Sequence, residues 1–274
     1  MSFLKITRPL NCLFVAITIV FGAVIGTENI NLLPIIFATI SATLIAAAGY
    51  VINDYFDFAI DKINRPNRIL PAGKITPKSA YIYSITLFAF GIFFSFFTNN
   101  IYCIFLAFIN AIILFLYAKY FKLTPFFGNL IVAYIATSTF LYGAFSNANL
   151  VNIWMITTFA FLLTLIRELI KDCEDIEGDA KLKAKTLALI FGIKKTIQIA
   201  FIVATIMILF VLFLWWQAYI SNSTIILLNA FVILPTLLFF ASLKQNFEKN
   251  NLARISKFVK IDMLILLIIL GLKI

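Results

Sequence analysis

Histidine is absent from all 274 residues. That removes haem ligation through an axial histidine, histidine-ligated zinc and any imidazole general base. Cysteine is scarce. Cys12, Cys103 and Cys173 lie far apart, form no C-x-x-C, and read as reduced or lipid-buried, inert thiols. Charge is scarce as well: 12% of residues are charged against 63% hydrophobic, and the mean hydropathy is +1.04. No soluble domain of this length has that balance. It belongs to an all-α polytopic membrane protein.

Apolar runs of roughly 20 residues, the length that crosses a bilayer, can be laid down nine times. They cover 10–27, 32–52, 80–98, 101–118, 126–146, 151–171, 196–217, 222–242 and 256–273. The last is the most polar, opening on Lys257, Lys260 and Asp262. With nine spans, 21 of the 22 Lys and Arg residues fall on the side of the N-terminus and only Lys273 on the other. The positive-inside rule then places the N-terminus in the cytoplasm. The net charge of +10 is first a signal of topology, and also attracts anionic lipids or phosphorylated substrates. It does not point to nucleic acid, because the basic residues flank helices instead of forming one basic domain. The first run is basic and then apolar like a signal peptide, yet it is long and lacks a cleavage site, so it reads as a retained span. The chain is expected to be one integral-membrane domain, residues 1–274, with helices 1–4 and 5–8 as pseudo-repeats plus a ninth helix. No protein partner is implied.

Six of the few aspartates form two clusters with one spacing, D-x-x-D-x-x-x-D: Asp54, Asp57, Asp61 and then Asp172, Asp175, Asp179, 118 residues further on. Positions i, i+3 and i+7 fall within about 60° of arc on an α-helix, so each triplet is one carboxylate stripe. Each begins where an apolar run ends and extends that helix. A single cluster is explained as well by a solvated helix end. Two of identical spacing on one side are not, because acidic groups are disfavoured at helix C-termini. Carboxylates this close repel one another and call for cations. Oxygen-only ligands select hard divalent metals, and Mg²⁺ commonly combines a few carboxylates with substrate phosphates. The pattern therefore points to a Mg²⁺–diphosphate site.

Basic residues surround both stripes. Asn64-Arg65-Pro66-Asn67-Arg68 and Lys74 follow the first. Arg offers planar, multidentate donors to phosphate, so Arg65 and Arg68 are candidate diphosphate ligands, while Lys78 is ordinary inner-loop charge. Arg167 and Glu168 sit at the inner end of the sixth run, where ionisable groups face a cavity or a partner. Lys171 suits phosphate, or an i+4 pair with Asp175. Lys181, Lys183 and Lys185 fit solvated positions. Tyr117, Lys119 and Lys122 open a third inner loop that continues from Thr124-Pro125 to Gly128-Asn129. They suit the diphosphate or interfacial anchoring. The 31 Phe residues fit lipid contact as well as a tunnel for an isoprenoid tail.

N-D-x-x-D-x-x-x-D followed by N-R-P-x-R, a second D-x-x-D-x-x-x-D in the later half and about nine spans resemble the UbiA superfamily of intramembrane prenyltransferases. The resemblance covers essentially the whole chain. Arg167-Glu168-x-x-Lys171-Asp172-x-Glu174-Asp175-x-Glu177-Gly178-Asp179 is most similar to the digeranylgeranylglyceryl phosphate synthases within it, and Thr7-Arg8-Pro9-Leu10-Asn11 is shared more widely. Ile69-Leu70-Pro71 departs from the Arg-Pro-Ile-Pro-like stretch frequent there. The resemblance implies a helical bundle around a central cavity, in which the six aspartates hold two Mg²⁺ on an isoprenyl diphosphate. Arg65, Arg68, Tyr117, Lys119, Lys122 and Lys171 would bind that diphosphate, and Asn53, about 100° off the stripe, would orient the acceptor. The implied reaction transfers a geranylgeranyl group to the hydroxyl of geranylgeranylglyceryl phosphate, with a carboxylate or pyrophosphate as proton acceptor. Membrane lipids and the two lipid substrates are the implied partners. Two alternatives stand beside it: prenylation of an aromatic acceptor in quinone biosynthesis, and a cation-coupled secondary transporter.

Overall fold

The computed structural model describes residues 1–181, 184–243 and 247–273, and among them there is no β-strand. Lys183 and Lys244 lie outside the described residues, and the side chain of Lys181 is not described. The helices are α1 (Ser2–Ile6), α2 (Pro9–Val24), α3 (Leu32–Phe56), α4 (Phe58–Asn64) and α5 (Pro77–Ser95). There follow α6 (Ile101–Leu116), which runs into a π-helical turn at Tyr117–Phe121, then α7 (Phe127–Ser146), α8 (Ile153–Glu174) and α9 (Ile176–Lys181). The series ends with α10 (Leu187–Phe191), α11 (Ile193–Trp216), α12 (Asn222–Leu228), a second π-turn at Asn229–Ile233, α13 (Leu234–Leu243) and α14 (Lys249–Lys273).

All nine apolar runs are helical, and seven helices are long and apolar enough to cross a bilayer. The other two fall short for different reasons. α2 has 16 residues, about 24 Å at 1.5 Å per residue, against a hydrocarbon core of about 30 Å. α14 has the length but begins seven residues earlier than its apolar run. Its first turns are polar outside, while Leu252, Ile255 and Val259 are buried at helical spacing.

The chain divides into two compact units, residues 1–122 with 137–153, and residues 123–136 with 154–274. In the first, α3 packs against α2, α5 and α6. Lipid gives no hydrophobic drive between helices, so contact relies on small residues and interhelical hydrogen bonds. Both are present. A Cβ on Gly143 would lie 1.9 Å from the Ile19 carbonyl oxygen, and one on Gly22 2.3 Å from that of Phe140, so α2 and the end of α7 meet backbone to backbone. Ser41 Oγ donates to the Gly91 carbonyl at 2.6 Å and shares a hydrogen bond with the Tyr142 hydroxyl. Ser84 Oγ donates to the Ala48 carbonyl at 3.0 Å, and the Asn110 amide to Ser138 Oγ at 2.9 Å. Leu70 and Ile75 are buried in the same core, which pins the Asn64–Thr76 loop at two points. In the second unit, α14 packs on α12 and α13. Phe159, Ile166, Leu169, Ile170 and Met207 are among its large, fully buried side chains.

Candidate active site

The first stripe sits where the apolar α3 gives way to α4. The helix breaks at Asp57, which is C-cap of α3 and N-cap of α4. The i→i−4 bonds run up to the break and resume from it, Asp57 N to Asn53 O at 2.9 Å and Asp61 N to Asp57 O at 2.8 Å. Asp54 and Asp61, on either side of it, still turn to one side, since Arg68 Nη1 lies 3.7 Å from the first and 2.7 Å from the second. The second stripe repeats this construction. α8 ends at Glu174 and α9 begins at Ile176, leaving Asp175 between them. Asp175 N bonds to Lys171 O and Asp179 N to Asp175 O, each at 2.9 Å. The spacing alone predicts one uninterrupted helix for each stripe; instead both break at the middle aspartate.

Asp54, Asp57 and Asp61 are buried, at 8%, 9% and 5% exposure. An isolated buried carboxylate is very costly, and each has a cation. Arg8 Nη2 donates to Asp54 Oδ1 at 2.5 Å. Arg68 Nη1 donates to Asp61 Oδ2 at 2.7 Å and lies 3.7 Å from Asp54 Oδ1. Lys122 Nζ donates to Asp57 Oδ2, which also accepts from the Asn53 amide at 2.9 Å. Asn53 thus orients a stripe carboxylate. The π-turn at Tyr117–Phe121 helps to aim Lys122. Its backbone N–H bonds to the Tyr117 carbonyl five residues back, and one extra residue in a turn rotates the residues after it by about 100°.

Not every basic residue that follows or faces the stripes in the sequence, Lys74 as a further candidate for the diphosphate included, joins this group. Among the described residues Arg65 and Lys74 are exposed and form no ion pair, and the exposed Lys119 ammonium lies over the Tyr120 ring at 4.8 Å. Tyr117 is half-buried. Arg8, which in the sequence reads only as inner charge, is a member of the site. Its backbone is left-handed, φ 54° and ψ 66°, directly before Pro9, and its guanidinium also lies over the Tyr50 ring at 5.2 Å. That conformation is strained for a residue with a Cβ.

The second stripe is less enclosed and differently balanced. Asp172, Asp175 and Asp179 are half-buried. Asp172 Oδ2 accepts from the buried Asn129 amide at 3.0 Å. Asn129 lies in the first turn of α7, at a position the sequence assigns both to the end of the third inner loop and to the start of the fifth apolar run. Among the described residues no ion pair forms between Lys171 and Asp175. Arg167 instead bonds its neighbour Glu168, Nη1 to Oε1 at 2.5 Å.

Each stripe by itself offers a donor set that suits hard cations, three carboxylates and no imidazole, and Cys173 is buried. Among the described residues no three or more acidic or thiol side chains form a cage that could hold a metal ion. In the first stripe the carboxylates are drawn to resident cations, Arg8 and Arg68 on Asp54, Arg68 on Asp61 and Lys122 on Asp57. Mg²⁺ needs no cage, because water and phosphate oxygens complete its shell.

The model of the UbiA prenyltransferase family matches residues 15–268. The digeranylgeranylglyceryl phosphate synthase of Methanosphaera stadtmanae is 38% identical over 268 residues, 96% of this chain and 95% of that one. A chain solved in work on the biosynthesis of digeranylgeranylglyceryl phosphate synthase in membranes superposes with a TM-score of 0.87 and 32% identity, covering 99% of this chain and 97% of that one. A UbiA homologue from Archaeoglobus fulgidus bound to DMAPP and Mg²⁺ has the same fold, with a TM-score of 0.74 and 19% identity over 97% of this chain and 99% of its own.

Proposed function

This chain belongs to the UbiA prenyltransferase family, and from that premise we propose that it is a Mg²⁺-dependent prenyltransferase of ether-lipid synthesis. It transfers the geranylgeranyl group of geranylgeranyl diphosphate to the hydroxyl of geranylgeranylglyceryl phosphate, forming the second ether bond of an archaeal-type lipid. The observation that carries the reading is the duplicated stripe, two aspartate triplets with one helix break and one hydrogen-bond pattern. The name of the Methanosphaera relative supports the acceptor.

In this reading Asp54, Asp57, Asp61, Asp172, Asp175 and Asp179 hold the metal on the diphosphate. Mg²⁺, when bound, supplies positive charge to the diphosphate oxygens and lowers the barrier to their departure. Arg68 and Lys122, released from their carboxylates, bind and neutralise the leaving diphosphate, and Asn53 keeps Asp57 oriented. Arg65, Tyr117, Lys119 and Lys171 are further candidates for the same anion. Apolar helix faces exclude water, so the prenyl group reaches the acceptor instead of being hydrolysed. The protein is an integral, multi-pass membrane protein. The distribution of Lys and Arg supports a cytoplasmic N-terminus and cytoplasmic stripes.

The test incubates purified protein in detergent with Mg²⁺, labelled geranylgeranyl diphosphate and geranylgeranylglyceryl phosphate, beside Asp57→Asn and Asp175→Asn. The expected result is a Mg²⁺-dependent diether that both variants lose. Turnover with an aromatic acid such as 4-hydroxybenzoate, and none with the phosphoglycerol lipid, overturns the substrate. No pyrophosphate release with any acceptor overturns the reaction.

A further inference from the structure

The proposed ether-forming step needs a group to take the acceptor's proton, and the chain has no histidine. Of its twelve acidic residues, six belong to the stripes. Glu28 lies between α2 and α3, and Glu248 just before α14. Asp262 is fully buried in α14, where Thr236 Oγ1 reaches it at 3.3 Å. Glu174 and Glu177 lie about 160° and 140° around the helix from Asp172. That leaves Glu168.

Glu168 stands four residues before Asp172, within about 40° of the same face and about 6 Å along the axis toward the apolar body of α8. Beyond it on that face come Leu165 and Phe161. It is the last polar group on the stripe before hydrocarbon. A prenyl diphosphate held at its polar end by the stripe presents its first carbon at that boundary, since the tail is apolar. The Glu168 carboxylate is only 14% exposed and is bound by Arg167 Nη1 at 2.5 Å. Among the described residues Arg167 Nε is buried with no partner, an open donor that an anionic or hydroxyl-bearing molecule would satisfy. The corresponding position four residues before Asp54 is Tyr50, a phenol and not a carboxylate.

Resting on the prenyltransferase reading above, we infer that Glu168 is the proton acceptor of the transfer and Arg167 the residue that positions it. The bond between the prenyl carbon and the diphosphate oxygen breaks with its electron pair going to the diphosphate. The acceptor oxygen forms the new bond to that carbon, and its proton passes to a Glu168 oxygen.

The test compares wild type, Glu168→Gln and Glu168→Asp as full-length protein in detergent with Mg²⁺. It measures ether formation, the dissociation constant of geranylgeranyl diphosphate, and transfer to an acceptor whose hydroxyl is replaced by a thiol, which is far more acidic and more nucleophilic than a hydroxyl and so depends much less on a base held by the protein. Glu168→Gln is expected to lower ether formation about 100-fold or more, to change diphosphate affinity less than about 3-fold, and to lose less than about 10-fold with the thiol. Glu168→Asp, which keeps the carboxylate and settles the matter should the Gln variant not fold, falls between wild type and Gln. Wild-type ether formation in Glu168→Gln, parallel loss of diphosphate binding, or equal loss on thiol and hydroxyl each overturn the assignment. Absence of diether from the wild-type protein overturns the underlying reading instead.

Discussion

Arg68 bridges two buried carboxylates, 2.7 Å from Asp61 and 3.7 Å from Asp54. Replacing it with Met keeps most of the stem and removes the charge. Breaking a buried ion pair costs about 3–5 kcal/mol. The Arg68 side chain is 26% exposed, so solvent screening lowers this to about 2–3 kcal/mol. For a chain of this size that corresponds to a fall in Tm of about 5–10 °C, measured by thermal unfolding in detergent with EDTA. The same substitution removes the cation that competes with Mg²⁺ for these oxygens. If Mg²⁺ displaces the guanidinium, the stability lost without metal returns as metal affinity, and 1.4 kcal/mol is tenfold. Mg²⁺ alone should then bind about thirty- to one-hundred-fold more tightly, and the Tm deficit should close at saturating Mg²⁺. Geranylgeranyl diphosphate affinity should fall, since a ligand of the anion is gone. An equal Tm deficit with and without Mg²⁺, or weaker Mg²⁺ binding, refutes the exchange of resident cation for metal.

Other predictions test the frame around the stripes. At Arg8, whose φ is +54°, Gly should be more stable than Ala by about 1 kcal/mol, although both lose the bond to Asp54; thermal unfolding of the pair isolates the backbone strain. Gly143→Ala drives a Cβ to 1.9 Å from the Ile19 carbonyl oxygen and should cost about 3 kcal/mol or more. Gly178→Ala meets nothing within 4 Å and should be neutral or gain up to about 1 kcal/mol in helix propensity, read from monodisperse yield and Tm. Asp262→Asn, at the one aspartate outside the stripes, should leave Mg²⁺-dependent transfer and Mg²⁺ affinity unchanged in the diether assay.

Periodicity and composition carry most of the fold because lipid demands long apolar helices, and every apolar run became one. The stripes were legible for a related reason. Helical register is a local property, and i→i−4 bonds lead into and out of the breaks at Asp57 and Asp175. The breaks themselves left no mark, since neither Gly nor Pro stands at either position. Tertiary direction was not legible. Arg8, Arg65, Arg68, Lys119 and Lys122 carry the same charge in similar loops, yet only Arg8, Arg68 and Lys122 reach carboxylates. Lys122 is turned by a π-turn and Arg8 by a left-handed residue before Pro9, and neither can be read from residue type. Asn129 was hidden because, at the junction of a loop and an apolar run, residue type does not say that its amide turns to Asp172.

The middle aspartates of the two stripes, Asp57 and Asp175, share spacing and backbone but not electrostatics, and this separates catalysis from stability. Asp57 is buried between Lys122 and Asn53. Asp57→Asn removes the negative partner and leaves an ammonium against a neutral amide in a poorly solvated place. The hydrogen bond to a charged acceptor alone is worth about 1.5–3 kcal/mol, so without metal this variant should be less stable by about 2 kcal/mol. Asp175 is half-buried and, among the described residues, has no ion pair. It stands on one helical face with Asp172 and Asp179, whose charge repels its own. Asp175→Asn relieves that repulsion and should leave stability without metal unchanged or raise it by a few tenths of a kcal/mol. Both variants should abolish diether formation, because in the proposed site both remove a carboxylate oxygen assigned to the metal. Parallel Tm and transfer measurements decide the point. If the two variants lose stability equally, the second stripe carries a resident counter-charge like the first, and the asymmetry argued from the ion pairs is wrong.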